Sequence, residues 1–192
     1  MQLVLASTSR YRRALLERLQ IPFDVTAPNN VDETPLEDEY PDDLVRRLSR
    51  NKARSVAGHY PEGVIIGSDQ VAVLDGKIIG KPGNFSTARA QLKQASGRRV
   101  AFLTGLALYN VKSARIQTGI VPFVVHFRRL SDRTIERYLR KDEPYDCAGS
   151  FKSESLGVTL FERMEGDDPN SLMGLPLILL TRMLENEGFE LV

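Results

Sequence analysis

Tryptophan is absent from this 192-residue chain, cysteine occurs once, histidine twice, and neither charge sign is in excess: 26 Lys+Arg stand against 25 Asp+Glu. Each shortage excludes something. Cys147 has no partner for a disulfide within the chain, and with only His59 and His126 beside it the thiolate and imidazole ligands of a zinc centre are missing. A formal net charge of +1 excludes a general nucleic-acid binder. The longest apolar runs, such as residues 177–180 and 64–66, fall far short of the roughly 20 residues a membrane-spanning helix needs, so no membrane partner is expected. No basic leader precedes the first strand-like residues at Gln2, and together with the lone cysteine this points to a reducing, cytoplasmic setting. Repeats, low-complexity stretches and Pro/Gly-rich linkers are also missing, and 42% hydrophobic residues suffice for a core, so residues 1–192 are expected to form a single domain.

What is present alternates between strand and helix patterns. Residues 3–6 are apolar and are followed by the capping candidates Ser7, Thr8 and Ser9, then by Ala14, Leu15, Leu16 and Leu19 at helical spacing. Pro41, Asp42 and Asp43 open a second helix with Leu44, Val45, Leu48 and Val56 on one face, ending near Gly58. A long strand with a polar interruption at Gly67-Ser68-Asp69-Gln70 is expected over residues 64–74, closed by the turn Asp75-Gly76. A helix over residues 85–95 stops at Gly97. Residues 100–111 and 116–127 read as a projecting antiparallel pair joined at 110–114. Ser131 caps a helix running to Leu139, residues 157–161 read as a strand, and Pro176 opens a last helix with Ile178, Leu179 and Leu184. The expected fold is α/β, a mixed central sheet flanked by helices.

Three places break these patterns. Asp69 puts a carboxylate between two β-branched runs, where an unpaired buried charge is costly. Either a bulge turns it outward, or it serves as a metal ligand or general base at a strand break. Lys52 falls in line with Leu44, Leu48 and Val56, so its ammonium either snorkels to water or reaches an anionic ligand. Arg10, Arg12 and Arg13 crowd a helix start, where cations oppose the helix dipole; they are either solvated surface groups or an anion-binding set with Ser7 and Ser9.

Neither a P-loop nor a dinucleotide fingerprint occurs, and no G-x-S-x-G marks a serine hydrolase. The remaining inventory is carboxylates, lysines and arginines. It suits divalent-cation chemistry on a polyphosphate, with oxygen ligands for the cation and basic side chains for phosphoryl oxygens. Asp167-Asp168-Pro169 is better explained as a turn than as a metal pair.

In order along the chain, Leu5-Ala6-Ser7-Thr8-Ser9 with Arg12-Arg13, Asp32-Glu33, Asn51-Lys52-Ala53, Gly67-Ser68-Asp69-Gln70, Gly80-Lys81-Pro82, Ala148-Gly149-Ser150-Phe151 and Gly174-Leu175-Pro176-Leu177 resemble the Maf family of nucleotide pyrophosphatases. Gln70 and Lys152-Ser153-Glu154 stand where the thymidine/uridine branch has Thr and an Ile-Gln pair, and there the chain resembles the 7-methyl-GTP branch. The resemblance implies two lobes with a cleft, as in the inosine-triphosphate pyrophosphatases, and a homodimer acting on a small nucleotide. It implies α-β phosphoanhydride hydrolysis to a monophosphate and pyrophosphate with Mg²⁺, Mn²⁺ or Co²⁺, as a house-cleaning activity. Glu33, Lys52, Asp69 and Lys81 match the catalytic positions, and Asp69 and Glu33 are the expected cation ligands. Ser7, Arg12 and Arg13 are expected on the phosphates.

For the base, Glu154 is expected to meet the donors and positive ring of 7-methylguanine, with Gln70 and Arg12 at nearby variable positions and Phe151 as a stacking surface. The opposing expectation for Glu154 is an ion pair with Lys152. Two alternatives accompany the enzyme reading: a pyrophosphatase of broader base specificity, and a nucleotide-sensing regulator of septum formation and cell division.

Overall fold

The first strand, β1 (Gln2–Ala6), pairs in parallel with β2 (Asp24–Thr26) on one side and β3 (Gly63–Leu74) on the other. A central parallel strand is covered on both faces, which explains its unbroken apolar sequence. Leu3 and Leu5 point to one face, packing with Val64 and Ile66 against Leu15 and Leu16 of helix α1 (Arg10–Glu17) and Leu180, Met183 and Leu184 of helix α5 (Leu177–Glu185). Val4 and Ala6 point to the other face, with Ile65, against Ala53 of helix α2 (Pro41–Ser55) and Val56 just beyond it. The two-residue period of the strand thus feeds two separate helical layers.

The computed structural model describes all 192 residues. Seven strands form one sheet in the order β2-β1-β3-β5-β6-β7, with β4 paired to β3. The remaining elements are β4 (Lys77–Ile79), α3 (Phe85–Ala95), β5 (Arg99–Asn110), β6 (Arg115–Phe127), α4 (Asp132–Asp142) and β7 (Phe161–Glu165). The expected mixed α/β sheet flanked by helices is what the chain forms. No helix is long and apolar enough to cross a membrane.

The chain divides into two compact units. The first comprises residues 1–70, 104–121 and 168–192, and holds the two helical layers described above. Near its end Asp168 is 2% exposed and spends Oδ1 on the Asn170 N–H at 2.9 Å and Oδ2 on the Ile178 N–H at 2.8 Å, the turn-forming use expected of it. The second unit comprises residues 71–103 and 122–167. Its core includes edge-to-face contacts of Phe151 with Phe102, Phe127 and Phe161 at centroid distances of 5.3, 5.7 and 4.8 Å. Tyr138 of α4 is buried there, and desolvation raises its phenol above the ordinary value.

Several local expectations need correction. β3 runs unbroken through Gly67-Ser68-Asp69-Gln70, so the strand does not break there, and Asp69 is buried instead of turned out to solvent. β5 and β6 do not project; β5 lies between β3 and β6 inside the sheet. Residues 157–161 are not a strand: the Gly157 N–H turns back to the Lys152 carbonyl, a 3₁₀ turn covers Leu156–Leu160, and β7 begins only at Phe161. Helix α2 stops at Ser55, with a short 3₁₀ turn, Ala57–His59, behind it. The α4 helix runs past Leu139 to Asp142, where Glu143 takes a left-handed conformation and ends it.

Candidate active site

Two glycines set where α2 lies. A Cβ at Gly67 of β3 would overlap the Ser49 carbonyl and stand 2.7 Å from the Ala53 nitrogen, and one at Gly105 of β5 would overlap the Val45 carbonyl. The helix backbone therefore rests on bare strand backbone at two points in neighbouring strands. This close seat carries Lys52, one turn past Leu48, inward rather than to the surface. Lys52 is 7% exposed, so it does not snorkel.

Its ammonium donates to Asp69 Oδ1 at 2.6 Å and forms an ion pair with Glu33 Oε1 at 2.8 Å. Asp69 is itself 7% exposed, in the middle of a strand. The carboxylate that broke the apolar pattern is compensated by the lysine that broke the helical stripe. Glu33 comes from the irregular segment before α2, and its side chain is 61% exposed. One cation thus joins a strand, a helix and a loop.

Arg12 of α1 adds a second positive charge. Its Nε donates to the Gly174 carbonyl at 2.8 Å, and the Ser68 hydroxyl lies against the same oxygen at 2.8 Å. Gly174 has φ +96°, a conformation that aims its carbonyl at both donors and that favours glycine. Burial lowers the Arg12 guanidinium from its ordinary value, while the negative charges of Asp69 and Glu33 oppose that shift.

The other expected residues are placed as follows. Ser7 is buried, and its hydroxyl accepts the Ser9 N–H at 3.1 Å. Arg13 pairs with Glu17 at 3.0 Å on the exposed face of α1. Gln70 Nε2 donates to Thr104 Oγ1 at 2.9 Å and to the carbonyls of Ser171 and Leu172 at 2.7 and 3.2 Å. Three acceptors around that nitrogen fix the orientation of the amide. Lys81, Phe151 and Glu154 belong to the second unit. Lys81 is exposed ahead of α3. Phe151 is 5% exposed and enclosed by other phenylalanines, so its ring serves the core and the stacking expectation is not retained. Glu154 is exposed, and Lys152 does not pair with it: that ammonium donates to the Asp142 and Glu143 carbonyls at 2.5 and 3.4 Å.

Sequence reasoning missed Arg47 and Glu39. Arg47 donates through Nε and Nη2 to the two Glu39 oxygens, each at 2.7 Å, and this hydrogen bonding holds the Glu39 carboxyl below the ordinary range. Nothing in the local pattern marks the pair. Gly67 and Gly105, by contrast, left a signal, as glycines inside apolar strands.

As a cation site the donor set is limited. Nowhere do three or more His, Cys, Asp or Glu side chains gather into a ligand cluster. Asp69 and Glu33 converge on one positive charge, and two carboxylates fit a Mg²⁺-type ion that keeps water and takes its other ligands from substrate phosphates.

Among solved structures the chain is similar to the Ham1 protein of Staphylococcus aureus, with TM-score 0.57, 14% identity, and 97% of this chain and 100% of that one covered. At this identity the likeness speaks for the fold. A nucleoside-triphosphatase / dITP/XTP pyrophosphatase from Mycobacterium abscessus matches at TM-score 0.40 and 18% identity, over 68% of this chain and 76% of that one. The Maf-like protein family profile matches residues 2–187, nearly the whole chain. With that match spanning both units and every residue of the Lys52–Asp69–Glu33 cluster, the chain belongs to the Maf-like protein family.

Proposed function

We propose that this protein is a nucleoside triphosphate pyrophosphatase that cleaves the α-β phosphoanhydride, with 7-methyl-GTP as its preferred substrate. The observation that carries the reading is the cluster in which buried Lys52 stands between buried Asp69 and exposed Glu33, with the Arg12 charge acting on both acids. Acids that hold a cation and bases that hold phosphoryl oxygens are what phosphoanhydride hydrolysis asks of a protein, since the chemistry is positioning and charge stabilisation.

In this reading water attacks the α-phosphorus, a new P–O bond forms, and the bond to the bridging oxygen breaks with its electron pair leaving on pyrophosphate. Asp69 accepts the proton of the attacking water at Oδ2, because Oδ1 is held by Lys52. Lys52 and Arg12 oppose the negative charge of the phosphates, and Lys81 is proposed for the leaving pyrophosphate. Where Asp69 binds a divalent cation instead of taking that proton, Glu33 would be the second ligand, and the bound ion would neutralise phosphate charge.

Two observations support guanine. With Nε2 of Gln70 spent inside the fold, its carbonyl oxygen is the group left for a base, an acceptor that matches the N1–H and N2–H donors of guanine. Glu154, unclaimed by Lys152, is proposed as the carboxylate for the positively charged methylated ring. Pyrophosphate release should be compared for 7-methyl-GTP, GTP, dTTP and UTP, each with and without chelator. Equal rates defeat the base assignment. Asp69→Asn should lose turnover by about 10³-fold or more while retaining nucleotide binding, in the range found when a group acting in proton transfer is removed; wild-type turnover removes Asp69 from the mechanism.

A further inference from the structure

Glu33 sits in a stretch, residues 31–36, that has no regular hydrogen-bonded structure, yet its carboxylate reaches Lys52 within 2.8 Å. An exposed carboxylate on an unsupported loop would sample many positions at the entropic cost of holding any one of them. Something must fix the backbone on either side. Arg47, on the same helix as Lys52, provides this: Nη1 donates to the Asp32 carbonyl at 3.4 Å and Nη2 to the Thr34 carbonyl at 3.0 Å, the residues immediately before and after Glu33.

The guanidinium is itself anchored. Its bidentate pair with Glu39 is sheltered, the Glu39 side chain being 6% exposed. Glu39 closes the loop further by accepting the Leu36 N–H at 3.0 Å, while Thr34 N–H turns back to Asp32 Oδ1 at 2.9 Å around Glu33. A planar group with donors in a fixed fork can hold two carbonyls and one carboxylate together; a lysine ammonium cannot reproduce that geometry.

We propose that Arg47 is a positioning residue for the reaction: by clamping the carbonyls that flank Glu33 it sets the distance from Glu33 to Lys52. This rests on the reading of Glu33 as part of the hydrolytic site. One helix then supplies both the cation that Glu33 meets and the fork that delivers it.

The test is a double-mutant cycle in the full-length protein, with kcat and KM measured for the best substrate of the panel. Arg47→Ala should lower kcat by roughly 10- to 100-fold, the range for misplacing a working group or losing the partner that orients it. Arg47→Lys should fail to restore it, although the charge is kept. On the residual turnover of Glu33→Gln, the same Arg47→Ala change should cost nothing further, since the group it positions is gone. Hydrogen exchange should show faster exchange of the Thr34 and Leu36 amides in Arg47→Ala, with the melting temperature read in parallel. Additive losses, full rescue by lysine, or wild-type kcat in Arg47→Ala each overturn the clamp. If Glu33→Gln is as active as wild type, the assignment of Glu33 falls, and with it the clamp; if Glu33→Gln is impaired and Arg47→Ala is not, only the clamp falls.

Discussion

Adding one methyl group at Gly67 tests whether the seat of α2 places the reacting groups. A Cβ there collides with backbone, the Ser49 carbonyl and the Ala53 nitrogen, and backbone cannot rotate away as a side-chain tip would. Overpacking of this kind costs about 1–3 kcal/mol, which for a chain of this length lowers the melting temperature by roughly 2–12 °C at about 2–4 °C per kcal/mol. The helix must also lift, and Lys52, one residue before Ala53, lifts with it away from Asp69. A displacement on the order of 1 Å at a working group costs up to about 100-fold in rate. Gly67→Ala should therefore lose kcat even far below its melting temperature. Gly58→Ala is the control, because a Cβ at that position meets nothing within 4 Å. Both variants would be measured by thermal unfolding and by pyrophosphate release at 20–30 °C below the midpoint. A Gly67→Ala protein that is destabilised but turns over at the wild-type rate would show that the close seat serves stability alone. One with an unchanged midpoint would refute the packing argument itself.

Two further outcomes follow from buried groups. Lys52→Met leaves Asp69 buried with its ammonium partner removed, and should destabilise by about 3 kcal/mol, the lower end for breaking a buried pair because Arg12 still opposes the charge; chemical denaturation showing a loss under about 1 kcal/mol would contradict this. Tyr138 has a folded pKa raised by burial, so the folded chain keeps a proton that the unfolded chain releases near pH 10. Its contribution is complete below pH 10 and is lost as pH rises above it. Stability should fall with pH above 10, and Tyr138→Phe should flatten that slope while costing about 1 kcal/mol at neutral pH for the hydrogen bond its oxygen accepts from the Lys152 N–H.

The layered core was readable because burial on both faces of β1 leaves an unbroken apolar run, and the helices announce themselves by Ser9, Pro41 and Ser131. Asp69 and Lys52 were visible as anomalies, each offending a different period. Their pairing was not, since 17 positions separate them and only the fold of β3 onto α2 brings them together. The same lack of long-range information turned Gly67-Ser68 into an expected break: Ser68 is tolerated within the strand because carbonyls of Gly105 and Gly174, 37 and 106 positions away, receive its hydroxyl. Phe151 looked available because sequence does not show three other phenylalanines closing around it. Lys152 and Glu154 were a sensible local pair, and carbonyls at the end of α4 outcompeted it.

An amide side chain ordinarily retains a choice, since half a turn about its last bond exchanges the atom that gives a proton for the atom that takes one. Gln70 has surrendered that choice to Thr104, Ser171 and Leu172. Any donor that meets its remaining oxygen faces a fixed polarity decided when the chain folds, and altering that polarity requires changing the surrounding scaffold as well as the glutamine.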